Sequence, residues 1–121
     1  MKKIVYIEDD PDIATVIEMA LGDIYQLMVL MDAHEIAEKI SHFMPDLILI
    51  DNYIGLKKAA DVIKEIKQAD KLKDVPFILC SGSSDIHTLA QEMSANAYLE
   101  KPFELADLYT IIKKVFDGHI S

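Results

Sequence analysis

The amino-acid sequence predicts an α/β protein in which a parallel sheet is covered by helices on both faces. Residues 47–50 are four consecutive aliphatic side chains, bounded by Pro45 before them and by Asp51 and a loop after them. This pattern is typical of a strand buried on both faces. Along the whole chain, apolar runs of strand length alternate five times with segments of helical periodicity. Such alternation favours a parallel sheet with right-handed crossovers and helices on both sides.

The composition sets limits on the function. The chain has 121 residues, 51% of them hydrophobic, which predicts one domain over residues 1–121 with a core of its own. A single cysteine excludes an internal disulfide and favours a reducing compartment such as the cytoplasm. The first apolar run is broken by Glu8, so it is too short for a signal peptide or a membrane span. The net charge of −9 argues against direct binding to nucleic acid or to a membrane.

The predicted elements follow one another in regular order. Five strands, β1 to β5, are expected at residues 3–7, 25–31, 47–51, 76–80 and 97–99. Five helices, α1 to α5, are expected at residues 11–21, 33–44, 58–67, 85–93 and 104–116. Asp10, which precedes Pro11, and Asp32 are expected to cap α1 and α2, because an aspartate oxygen can accept from the first free N–H groups of a helix.

Four of the five strands lead to side chains that can take part in chemistry. β1 ends in Glu8 and Asp9, β3 in Asp51 and β4 in Ser81, and β5 leads to Lys101. In a doubly wound, flavodoxin-like, three-layer fold with strand order 2-1-3-4-5, the chain reverses direction between β1 and β3. A crevice opens at that point of the carboxyl edge. We therefore expect these five side chains to lie close together.

Three carboxylates in one crevice repel one another unless a proton or a cation neutralises them. A hard divalent ion, Mg²⁺ or Mn²⁺, suits a site made of carboxylates, water and phosphate oxygens. The same geometry can serve phosphoryl transfer, with Asp51 as the nucleophile that forms an acyl phosphate. Lys101 and Ser81 would then hold the remaining phosphoryl oxygens. Taken alone, Asp51 fits better as a residue that only caps the next turn, and the other strand ends are what favour a functional role.

Four short motifs occur in order along the chain. They are Ile-Glu-Asp-Asp-Pro-Asp-Ile at 7–13, Pro-Asp-Leu-Ile-Leu-Ile-Asp at 45–51, Pro-Phe-Ile-Leu-Cys-Ser-Gly at 76–82 and Ala-Tyr-Leu-Glu-Lys-Pro-Phe at 97–103. Together they resemble the motifs of bacterial two-component response-regulator receiver domains of the single-domain, CheY-like type. The resemblance covers essentially the whole chain.

The resemblance implies how the crevice binds its metal and its phosphoryl group. Glu8 and Asp9 would be the acidic pair for Mg²⁺, with Asp9 the direct ligand and Glu8 acting largely through water. Asp51 would be the phosphoacceptor, and the backbone carbonyl of Tyr53 would complete the protein ligands. Lys101 would pair with the phosphoryl group.

The resemblance also implies a conformational switch. Ser81 would be the switch hydroxyl, and Tyr98 the aromatic side chain that swings inward on activation. Pro102 is expected to follow a cis peptide bond. Two alternatives stay open here: Ser81 can be a residue of the Ser-Gly-Ser-Ser turn, and Tyr98 can be half-buried packing. Cys80 is expected in the core.

The implied function is a phosphorylation switch rather than an enzyme acting on a metabolite. A sensor histidine kinase or a phosphotransfer protein would phosphorylate Asp51, and the α4-β5-α5 surface would change for an output protein or a phosphorelay. That surface could also form a homodimer. Self-modification, with at most autodephosphorylation, is the only catalysis expected, and no organic cofactor is predicted.

Two other functions fit parts of the sequence. One is a degenerate receiver that binds partners without phosphorylation; the loop at 52–58 favours it slightly, because it lacks the proline and the Asp-Gly pair common in the family. The other is an FMN-binding protein of the same fold, which the acidic loop after β1 disfavours by repelling phosphate. We also expect Tyr53, large for its position, to alter the lifetime of the phosphorylated state. The methionines are expected to fill core gaps, and His34, His42, His87 and His119 to lie on the surface.

Overall fold

The computed structural model describes residues 1–118, so the predicted surface position of His119 lies outside the described residues. The five main strands are β1 Lys3–Ile7, β2 Gln26–Leu30, β3 Leu47–Asp51, β4 Phe77–Ser81 and β5 Ala97–Glu100. The helices are α1 Pro11–Leu21, α2 Ile36–Phe43, α3 Ala59–Lys67, α4 Ile86–Met93 and α5 Leu105–Phe116. Between β3 and α3, Tyr53–Ile54 pairs with Lys57–Lys58 in a short antiparallel hairpin that was not predicted.

The main sheet has the order β2-β1-β3-β4-β5, and every neighbouring pair is parallel, as predicted. The register places Ile7 of β1 opposite Ile50 of β3, and Asp51 opposite Cys80 of β4. The carboxyl ends of the three central strands therefore reach the same edge of the sheet.

Side chains of the strands alternate between two cores, because successive residues of a strand point to opposite faces. Ile48 and Ile50 of β3 pack with α2, α3 and α4 on one face. Leu47 and Leu49 pack with α1 and α5 on the other face. All four side chains are fully buried, which explains the continuous aliphatic run. The three-layer α/β/α prediction is confirmed.

The two predicted helix caps differ in outcome. Asp10 accepts hydrogen bonds from the backbone N–H groups of Asp12, at 2.9 Å, and Ile13, so it caps α1 as expected. Asp32 instead accepts from the N–H of His34 at 2.9 Å and closes a local turn. Since α2 begins only at Ile36, the prediction that Asp32 caps it is wrong. An aspartate can form this local turn as readily as a helix cap.

The predicted role of the methionines is wrong for most of them. Met1, Met19, Met31 and Met44 are exposed, and Met28 and Met93 are the ones that pack against the core. His34, His42 and His87 are exposed, as predicted. Among residues 1–118, no helix is both long and apolar enough to cross a membrane.

Candidate phosphoacceptor site

A crevice of about 480 Å³ opens at the carboxyl edge of the sheet between β3, β4 and the segment after β5. Asp51, Tyr53, Ser81 and Lys101 contribute to its walls. The sheet register continues into the loops, since the N–H of Asn52 donates to the carbonyl of Cys80 at 3.0 Å. The position of the crevice is therefore set by the strands, at the carboxyl edge where the doubly wound fold was expected to open it.

Three carboxylates meet beside this crevice. Glu8, Asp9 and Asp51 each offer an oxygen, and these oxygens lie within 4.8 Å of one another. Glu8 is 1% exposed, whereas Asp9 is exposed and Asp51 is half-buried. Burial raises the pKa of Glu8, and the negative charge of Asp51 raises it further, while the hydrogen bond from Lys101 opposes the shift. Such a cluster of hard oxygen ligands is suited to a small divalent cation.

Lys101 joins two of these carboxylates. Its Nζ lies 2.8 Å from Asp51 Oδ1 and 2.8 Å from Glu8 Oε2. Burial alone lowers the pKa of Lys101, but the hydrogen bonds to Asp51 and Glu8 outweigh that effect and raise it above its usual value. The backbone N–H of Lys101 also donates to the carbonyl of Ser81 at 2.8 Å. The ammonium group is thus held between Glu8 and Asp51 as their counter-ion.

The hairpin at 53–58 contacts the acidic pair directly. The N–H of Gly55 donates to Asp9 Oδ2 at 2.9 Å, and the hairpin is closed by the N–H of Ala59 bonded to the carbonyl of Asn52 at 2.8 Å. Gly55 has φ +62°, a conformation that favours glycine. Tyr53 borders the crevice and is 51% exposed. Gly55 was the one signal for this turn in the sequence.

Ser81 is the last residue of β4 and is buried. Its Oγ accepts a hydrogen bond from the N–H of Ser83 at 3.1 Å. The turn contact expected from Ser-Gly-Ser-Ser is therefore present at the same hydroxyl that lines the crevice. Accepting this bond leaves the O–H proton free to be donated elsewhere.

Tyr98 is the one predicted site residue that the structure places away from the crevice. It lies on β5 with its ring partly exposed, and that ring meets the ring of His87 on α4 edge-on, with 5.6 Å between centroids. The Lys101–Pro102 peptide bond is cis, as predicted. Cys80 is fully buried below the crevice, also as predicted, and burial raises the pKa of its thiol to about 12.

Comparison with known proteins identifies the family. The family model described as the response regulator receiver domain matches residues 4–113. The chain belongs to the response regulator receiver domain family. Among curated relatives, the transcriptional regulatory protein KdpE of Staphylococcus aureus is 33% identical over 123 residues, covering 97% of this chain and 52% of KdpE. This receiver chain thus spans about half the length of that relative.

Solved receiver structures share the fold. The chemotaxis protein CheY4 of Vibrio cholerae superposes with a TM-score of 0.86 at 20% identity, covering 95% of this chain and 98% of CheY4. The receiver domain of sensor histidine kinase PA1611 from Pseudomonas aeruginosa has a TM-score of 0.81 at 26% identity, with 93% and 95% of the two chains covered. That structure contains a magnesium ion coordinated in its active-site cleft.

Proposed function

We propose that this receiver domain is a signalling switch in which Asp51 accepts a phosphoryl group from a histidine kinase or a phosphotransfer protein. The observation that carries the proposal is the position of Lys101, with Nζ 2.8 Å from both Asp51 and Glu8. A cation held against a partly exposed carboxylate at the mouth of a crevice is poised to meet an incoming anion. We also propose that residues 1–121 form one receiver domain.

The residues at this edge fit a divalent ion. Glu8, Asp9 and Asp51 supply carboxylate oxygens within 4.8 Å of one another, and together with the carbonyl of Tyr53 they would hold Mg²⁺ or Mn²⁺. When bound, the ion neutralises carboxylate charge and stabilises the negative charge of phosphoryl oxygens. The magnesium reported in the active-site cleft of the PA1611 receiver supports this assignment.

The protein's own groups perform the rest of the transfer. A carboxylate oxygen of Asp51 attacks phosphorus in line with the phosphorus–nitrogen bond of a donor phosphohistidine, and that bond breaks as the acyl phosphate forms. Lys101 then exchanges its bond to Asp51 for a bond to a phosphoryl oxygen. The hydroxyl group of Ser81 donates a hydrogen bond to a second phosphoryl oxygen. The donor imidazole, protonated at its other ring nitrogen, keeps the electron pair of the broken bond and leaves as neutral histidine, so the products are an aspartyl phosphate and a free histidine side chain.

The new charge changes the surface formed by α4, β5 and α5. A phosphate carries about −1.5 to −2 charges, and it draws Ser81 and Lys101 toward Asp51. Tyr98 lies on β5 in contact with His87 of α4, so its ring can exchange this outward position for an inward one as β4 and α4 shift. An output protein, a second copy of the domain or a phosphorelay partner would recognise the altered surface. We place this switch in the cytoplasm and expect no chemistry on a metabolite.

A degenerate receiver, which binds partners without being phosphorylated, is the second candidate. It is favoured by the hydrogen bond from the Gly55 N–H to Asp9 Oδ2, because that bond occupies one lone pair of a proposed metal ligand. The remaining oxygen lone pairs of Asp9 are free for a metal. The two candidates therefore differ in whether Asp51 can be phosphorylated.

The test is the intact mass of the protein after incubation with acetyl phosphate and Mg²⁺. We expect a gain of one phosphoryl group that is lost in Asp51→Ala and retained in Asp85→Ala, which alters another aspartate of the same crevice. Removing Mg²⁺ with a chelator should also abolish the gain in mass. If the folded protein gains no mass from acetyl phosphate or from a phosphorylated histidine donor, the degenerate receiver is the correct alternative.

A further inference from the structure

A basic groove lies between α3 and α4, outside the chemistry proposed above. Six of the 12 lysines fall between residues 57 and 73, accompanied by only three carboxylates, although the whole chain carries a net charge of −9. Three of these six lysines, Lys58, Lys64 and Lys67, border the groove, so the groove is locally basic on an acidic chain. Such a local charge steers partners of opposite charge to the groove.

The floor of the groove is apolar. Ile63 of α3 is buried there, and Leu89 and Met93 of α4 are partly buried against the same core. The groove encloses about 580 Å³. A volume of this size accommodates a few aliphatic side chains of a partner, which gain from leaving water.

Lysines form the rim. Lys58, Lys64 and Lys67 border the groove, and Glu92 on α4 is the one carboxylate among its lining residues. Lys67 is fixed in place, because its Nζ donates to the backbone carbonyls of Leu72 and Val75. Lys58 and Lys64 are exposed, and neither forms an ion pair within the part of the chain that the structure describes. Two cationic groups at the rim are therefore available to a partner.

We propose that this groove docks an acidic protein segment that also carries aliphatic side chains. The aliphatic side chains would fill the floor over Ile63 and Leu89, and the carboxylates would pair with Lys58 and Lys64. Asn52 and Tyr53 border both this groove and the crevice of Asp51. A docked segment would therefore lie directly beside the proposed phosphoacceptor.

The chemistry of the groove favours a protein segment over a nucleic acid. A nucleic acid would pair its phosphates with the rim lysines, but it carries no aliphatic side chains to fill the apolar floor. An amphipathic acidic segment can place aliphatic side chains on the floor and carboxylates against the rim lysines. Segments of this kind bind helix-lined grooves through apolar side chains at helical spacing.

The probe for the test is a fluorescein-labelled helical peptide of about 12 residues, or roughly three turns. Leucines on one face are flanked by glutamates. We expect a saturable rise in fluorescence anisotropy at low salt that weakens as salt is added. The variant K58E/K64E should bind about tenfold more weakly, because two attractions become repulsions.

K113E/K114E is the matched control, since it changes the net charge equally at two exposed lysines of α5. It should bind the peptide like the unaltered protein. The proposal is overturned by equal weakening in both variants, by undiminished binding of a peptide with serine in place of leucine, or by equally tight binding of single-stranded DNA of the same charge. None of these results depends on phosphorylation of Asp51, so they leave the proposed switch untouched.

Discussion

The backbone N–H of Gly55 donates a 2.9 Å hydrogen bond to Asp9 Oδ2, across 46 residues of sequence. This bond ties the hairpin at 53–58 to the acidic pair after β1. It also fixes the segment that carries the Tyr53 carbonyl relative to Asp9. The position of the proposed metal ligands therefore depends on a turn that only glycine adopts without strain.

Replacing Gly55 should loosen this turn. At φ +62° a Cβ is strained whatever space surrounds it, so we expect Gly55→Ala to reduce the free energy of unfolding by about 1 kcal/mol. Urea denaturation followed by circular dichroism measures the change. Gly82→Ala is the control, because its added Cβ would meet Lys101 at an ordinary 3.9 Å. Equal stability of both variants would show that the hairpin is not under this constraint.

Tyr53 should slow the loss of the phosphoryl group. Tyr53 is 51% exposed and borders the crevice of Asp51, where its side chain can limit the approach of water to an acyl phosphate. We expect Tyr53→Asn to dephosphorylate severalfold faster, as measured by the decay of the phosphorylated mass after the donor is removed. Leu56→Asn, at a fully exposed position of the same hairpin, should leave the rate unchanged. An unaltered rate in Tyr53→Asn would rule out the shielding role.

Removing Lys101 should make stability depend on pH in metal-free buffer. Without its ammonium group, Glu8 stays buried beside Asp51 and loses the hydrogen bond that opposes its raised pKa. A carboxyl group whose folded-state pKa lies above its ordinary value of 4.5 stabilises the fold only while protonated. Stability of Lys101→Met should therefore fall as pH rises above about 4.5, the ordinary value for a glutamate.

The measurement is the urea midpoint at pH 5 and pH 8 in the presence of a chelator. Lys101→Met should lose more stability between these two pH values than the unaltered protein does. Lys114→Met, which removes an exposed lysine of α5, provides the matched control. A parallel pH profile for all three proteins would contradict the role of Lys101 as counter-ion to Glu8.

Cys80 should be unreactive in the folded protein. Burial raises the pKa of its thiol to about 12, and its Sγ lies 3.9 Å from the equally buried hydroxyl of Tyr6. Because the thiolate is the reactive form, a thiol reagent at pH 8 should label Cys80 only after unfolding in urea. Rapid labelling of the native protein would show that the core opens at this point.

The sequence predicted the features that depend on periodicity and strand ends. The run at Leu47–Ile50 identified the central strand, and the rule that parallel strands present their carboxyl ends at one edge placed Asp51 with Glu8 and Lys101. The hairpin was missed because its strands have two residues each, too few to show a period. It is fixed by a hydrogen bond to distant Asp9, which no local pattern reveals.

Other errors arose where one residue type serves two purposes. Asp32 has the chemistry of a helix cap, yet its side-chain oxygen accepts from the N–H of His34 and closes a local turn instead. α2 begins only at Ile36, four residues after Asp32.

Leu72, which stands between Lys71 and Lys73, is buried and holds the segment between α3 and β4 against the core. A single apolar residue among charges carries no periodic signal, so only the packed structure reveals its role.

The exposure of four methionines bears on how the fold responds to oxidation. Peroxide converts a thioether to a polar sulfoxide, which opens a core when the methionine is buried. Here Met1, Met19, Met31 and Met44 lie at the surface, so their sulfoxides would face water without disturbing the packing. The two cores consist mainly of isoleucine, leucine and valine, which peroxide does not attack. The fold should therefore tolerate oxidation of these four methionines, whereas oxidation of Met28 or Met93, which pack against the core, should destabilise it.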